Sequence, residues 1–148
     1  MTNEQTRAFL VAGDAIFTVA NPTDDRYTFR IRMKDAELFR PAKHFLSLLT
    51  GPDNTRDYTY MGVVEPETLT VRLTAKSRLT VDSAPVRVAQ WALGRVASGR
   101  DFPAGYRLYH EGRCGHCGRV LSVPESIERG IGPDCFEMMM AAATRHAA

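Results

Sequence analysis

The sequence predicts an α+β protein, an antiparallel sheet of about five strands packed by one helix and followed by a small cysteine-rich module. Three observations carry this. Residues up to Lys76 alternate apolar and polar side chains between turn-forming stretches, residues 82–99 switch to a helical period, and all three cysteines fall within 114–135.

The elements follow in order. "AIFTVA" and "RYTFRIRMK" flank the turn residues "NPTDD". In the second of these strands Tyr27, Phe29, Ile31 and Met33 share one face, and Arg26, Thr28, Arg30, Arg32 and Lys34 the other. "FLSLL" is a further strand. After the turn at Gly-Pro-Asp-Asn comes a fourth, with Tyr58 and Tyr60 on one side. "ETLTVRLTAK" is the fifth, with Leu69, Val71 and Leu73 inward and Thr70, Arg72, Thr74 and Lys76 outward. The helix in "DSAPVRVAQWALGRVASG" has Asp82 or Ser83 as N-cap, Pro85 in its first turn and Gly99 as its stop. Its sheet-facing side is expected to be Val88, Trp91, Ala92 and Val96. "SGRDFPAG" is a linker by composition, so the expected division is a sheet-and-helix domain at 1–102 and a module at 103–148. The module contains a short strand "YRLYH", the cysteines, a helical turn "PESIERG" and a terminal helix from "PDCFEMMM".

At 148 residues and 44% hydrophobic content, the chain can bury one real core. The polar amino terminus has no apolar leader and nothing reaches the length of a membrane span, so a cytoplasmic protein is expected. In a reducing compartment three cysteines do not read as disulfides. Net charge is only +2, but six arginines stand between Ser83 and Arg119 against Asp101 and Glu111, which suits an anionic partner.

Cys114 and Cys117, followed by Gly118, have the form of a zinc knuckle, a tight turn that aims two thiolates at one metal. Cys135 begins a helix, where first-turn amides are expected to favour its thiolate. A knuckle followed by a helix-start ligand is a treble-clef-like arrangement. His110, on an extended approach to Cys114, is the expected fourth ligand, giving His-x3-Cys-x2-Cys-x17-Cys and a closed, structural Zn2+ site. His116, Asp134, Glu137 and His146 are the alternatives. A redox C-x-x-C would sit at a helix start in a βαβ setting, which is absent here. A catalytic zinc would need an open position. "GIGPDC" lacks the full dinucleotide fingerprint, and Gly130 and Gly132 read instead as the turn that brings Cys135 to the metal.

The stretch "HEGRCGHCGRVLSVPESIERGIGPDC" resembles the carboxy-terminal module of small bacteriophage and prophage proteins grouped only as a domain of unknown function. The matching elements are Cys114 to Leu121, Pro124 to Ile127 and Gly130 to Cys135. "LTGPDNTRDYTYMG" and "FLVAGDAIFTV" extend the likeness over most of the chain. The resemblance implies a zinc-binding module and, where members carry histidine at that position, supports His110. It implies no activity.

The expected function is that of a non-enzymatic accessory protein. The cations Arg26, Arg30, Arg32, Lys34, Arg72 and Lys76, with Arg113 and Arg119 around the knuckle, are expected to hold nucleic-acid phosphates while Tyr58 and Tyr60 stack bases. The alternative is a protein-interaction module that binds or inhibits a host protein (a defence protein, for example), with Met138 to Met140 as an adaptable contact. No paired carboxylates, nucleophile elbow or phosphate loop points to an enzyme or a small-molecule substrate.

Overall fold

The structure is a computed structural model. It describes residues 1–35, 38 and 41–147, the last two by backbone alone. In chain order the elements are α1 (Asn3–Leu10), β1 (Asp14–Ala20), β2 (Arg26–Lys34), β3 (Lys43–Leu49), β4 (Tyr58–Glu65), β5 (Thr70–Arg72), α2 (Ala84–Ala97), β6 (Arg107–His110), α3 (Pro124–Arg129) and α4 (Pro133–Ala147). The strands form one antiparallel sheet in the order β5-β4-β3-β2-β1-β6.

The alternation in β2 is what the sheet uses. Phe29 and Ile31 are fully buried, and in register they face Phe17 and Ala15 of β1 and Leu48 and Leu46 of β3. Each such side chain removed from water contributes about 1.5–3 kcal/mol. Helices α1 and α2 complete this core with Phe9, Leu10, Val86, Ala89, Leu93 and Val96. The apolar stripe of α2 is rotated from the expected one, for Val88 and Trp91 lie at its margin. There Trp91 meets Phe102 and Tyr106 edge-on, at 5.5 and 5.2 Å between ring centroids.

Three features depart from expectation. First, α1 is a helix opened by a capping box, with Thr2 Oγ1 accepting from the Gln5 amide and the Gln5 side chain accepting from the Thr2 amide. Second, β5 is only three residues long, because Leu69 takes a left-handed φ of 56° and turns the chain while staying buried. Third, the chain beyond 102 does not stand apart from the sheet. Its strand β6 pairs with β1, setting His110 opposite Phe17 and Leu108 opposite Val19 on the apolar side. Among the described residues no helix is long and apolar enough to cross a membrane.

Candidate functional site

Cys114, Cys117 and Cys135 place their sulfurs within 4.8 Å of one another. The knuckle is a tight loop. The Cys114 amide donates to the Arg119 carbonyl at 2.8 Å, and the Gly118 amide to the Cys114 carbonyl at 2.9 Å. Gly118 holds a φ of 76°, the conformation its lack of Cβ permits. On the other side α3 ends at Gly130 with φ 74°, and the Gly115 amide donates to the Gly130 carbonyl at 2.8 Å. Pro133 then opens α4, whose first turn delivers Cys135 to the knuckle.

The thiols are not equivalent. Burial works against the charged form of Cys114, but amides of Gly132, Cys117 and His116 aimed at its sulfur overcome this and bring its pKa down to about 7. The Gly132 and His116 amides lie 3.2 and 3.4 Å from Sγ. Cys135 behaves opposite to expectation. Burial, reinforced by the facing sulfurs of Cys117 and Cys114, pushes it up to about 12. The amides that favour a thiolate, those of Gly132, Cys117 and His116, are thus gathered on Cys114 and not on Cys135. A cation between the three sulfurs would reverse the repulsion and hold all three as thiolates.

Among the described residues His110, the expected fourth ligand, brings no ligand atom into this group. Its period-two position in β6 turns the ring to the apolar side of the sheet, 5.4 Å from the Phe9 ring centroid. Both ring nitrogens are engaged, Nδ1 accepting from the Gly112 amide at 2.8 Å and Nε2 lying 2.6 Å from the Ile127 carbonyl. His116, Asp134 and Glu137 also bring no ligand atom into the group. His116 is held by Nδ1, 2.6 Å from the Ala12 carbonyl. The His146 side chain lies outside the described residues. Its place on α4, eleven residues past Cys135, is about 16 Å along the helix axis.

The centre sits on its own small core, Ala12, Cys114, Leu121 and Ile131, with Phe136 and Met139 against it. Phe9 joins this to the main core. A Cβ built at Gly115 would lie 2.5 Å from Phe9 Cδ2, and one at Gly130 would lie 2.8 Å from it.

Residues 109–139 match the model of a family of unknown function (DUF6011). This segment holds the knuckle, α3 and the start of α4. No curated protein and no solved structure matches the chain.

The predicted cations are divided by the structure. Arg30 is committed within the fold, its Nε and Nη2 donating to both Asp14 carboxylate oxygens at 2.7 and 2.8 Å, and its Nη1 to the Thr55 carbonyl. Its guanidinium also covers the Tyr58 ring at 5.6 Å, so that ring is not free to stack. Arg26 pairs with Asp24 at 3.9 Å and Arg72 with Glu65 at 3.6 Å, while Arg113 donates to the Gly118 carbonyl at 3.2 Å. Arg32, Lys76 and Arg119 are exposed and form no ion pair among the described residues. Lys34 is exposed beside them. The outer sheet face carries two hollows of about 590 and 420 Å³ that share Lys34 and Phe45. Lys43 and Phe45 were not among the expected binding residues. The alternation of "KHFLSLL", which buries His44, Leu46 and Leu48, puts Lys43, Phe45 and Ser47 on this face.

Proposed function

We propose that the protein is a zinc-stapled, non-enzymatic accessory protein that binds single-stranded nucleic acid across its outer sheet face. The two adjoining hollows carry the reading. Arg32, Lys34, Lys43 and Lys76 line them with the half-buried rings of Phe45 and Tyr60, which meet at 6.0 Å. Among the described residues Asp35 is the one carboxylate in either lining, so cations and aromatic rings share one face. Such a surface suits a flexible strand whose phosphates are neutralised while its bases stack.

Three sulfurs within 4.8 Å also fit zinc. Tetrahedral Zn–S bonds of about 2.3 Å need sulfurs about 3.8 Å apart, a small closure of the present spacing. The metal supplies cohesion to a module whose core is only a few apolar side chains.

The test is fluorescence anisotropy of labelled mixed-sequence single strands against salt concentration, on protein with one zinc measured per chain. Replacing Arg32 and Lys76 with Ala should flatten the salt slope by about 0.7 for each phosphate no longer neutralised. An absence of binding at low salt ends this reading. The protein-partner reading would then gain. Its support is that Val120, Met138 and Met140 of the carboxy-terminal segment are 66, 50 and 52% exposed.

A further inference from the structure

Resting on the zinc reading above, we propose that the metal centre is open and that its fourth position takes an exchangeable thiolate from outside the chain. The donor count motivates this. Among the described residues three sulfurs converge and no fourth side-chain donor joins them. The expected fourth ligand, His110, has both nitrogens engaged and faces Phe9. His116 is tied to Ala12. The two knuckle cysteines differ in access, Cys114 being buried and Cys117 exposed, so the centre is walled by protein on one side and faces solvent on the other.

The chemistry of the ligand follows from its surroundings. Zinc is borderline soft, and in a set of three sulfurs a fourth sulfur matches better than a carboxylate. Four thiolates on Zn2+ leave a net charge of −2, which needs nearby cations. Arg113 and Arg119 supply them, for both are exposed at the knuckle and Arg113 is held there by the Gly118 carbonyl. On entry the thiol gives its proton to the buffer, its sulfur lone pair makes the new metal bond, and one water leaves.

The experiment uses the full chain loaded with Co2+, whose visible bands report the coordination sphere, and titrates 2-mercaptoethanol into it. The expected result is a saturable shift of the visible bands with growth of the sulfur-to-metal absorption. Imidazole should give a smaller shift. Light scattering during the titration separates the two thiolate sources. A constant monomer mass means the free thiol binds, whereas a dimer formed without added thiol means that the exposed Cys117 thiolate of a second copy keeps its own metal and bridges to the fourth position. Cobalt bands that ignore thiol in the native chain but respond in His110→Ala would overturn the proposal, because His110 would then be closing the site. His110→Asn repeats the comparison if the Ala variant folds poorly. Failure to bind Co2+ or Zn2+ at all would instead remove the zinc reading itself.

Discussion

Gly115→Ala tests whether the cysteine module is seated on the main core. The φ of Gly115 is not in the left-handed region, so the new methyl meets only a steric problem: Phe9 Cδ2 at 2.5 Å, Cε2 at 2.8 Å and the Phe9 carbonyl oxygen at 2.9 Å. Overpacking of this kind costs about 1–3 kcal/mol. The reduced freedom of the unfolded chain returns about 0.4–1 kcal/mol. A net loss of about 1–2 kcal/mol is expected. Phe9→Ala, at a fully buried ring, should cost about 3–5 kcal/mol. In the double variant the ring is gone and the methyl enters part of the void, so the total should fall short of the sum by about 1–2 kcal/mol, within the range found for touching residues. The clash with the carbonyl persists, which keeps the recovery partial. Urea unfolding at fixed free zinc measures all three variants, because metal bound only by the folded state shifts the apparent stability. Strict additivity would falsify the contact between ring and glycine.

The remaining predictions concern the sheet and the metal. Arg30→Ala leaves the part-buried Asp14 carboxylate without its two-pronged partner and should lower stability by about 1–3 kcal/mol, with the salt slope of any nucleic-acid binding unchanged. A flattened salt slope with unchanged stability would reverse that assignment. Gly62→Ala should destabilise by about 1–3 kcal/mol in thermal melts, because its Cβ would lie 2.5 Å from the Arg72 carbonyl oxygen across the β4–β5 ladder. Chelation of the metal should open trypsin sites at Arg113, Arg119 and Arg129 while Arg30 and Arg95 stay protected, and an unchanged digest counts against a structural metal. Burial, with Glu111 nearby, pushes the Tyr58 phenol up to about 12. Stepping the pH to about 11 should therefore raise phenolate absorbance equally in native protein and in Tyr58→Phe, and a smaller rise in the variant contradicts the burial.

The facing of β2 is legible in the sequence because Arg, Thr and Lys at every second position keep off the apolar core, and the register with β1 and β3 respects this. The three cysteines are legible because a tight C-x-x-C turn and a proline-opened helix are local devices. The N-terminal helix is equally legible in its Thr2–Gln5 capping box, yet the polar opening of the chain reads as loop when only apolar periodicity is weighed. His110 is different. Which way its ring turns is decided by the pairing of β6 with β1, a contact between segments about ninety residues apart that no local pattern announces. The length of β5 is likewise set at one residue, Leu69, where the backbone turns against the preference of its side chain. The role of Arg30 depends on Asp14, which lies on the neighbouring strand sixteen positions away.

The partnership of β6 with β1 also sets an order of events at the ribosome. The strands β1 to β5 and the helix α2 are complete before residue 100 is made, and each strand neighbours the next in the chain. They can assemble as they emerge, but one flank of β1 then stands open, its backbone amides and carbonyls without partners, until the last third of the chain appears. Closing so distant a pairing is slow compared with forming local turns. A ribosome stalled or a message cut before Arg107 would therefore release a nearly finished sheet with a raw β edge, prone to recruit strands from its neighbours.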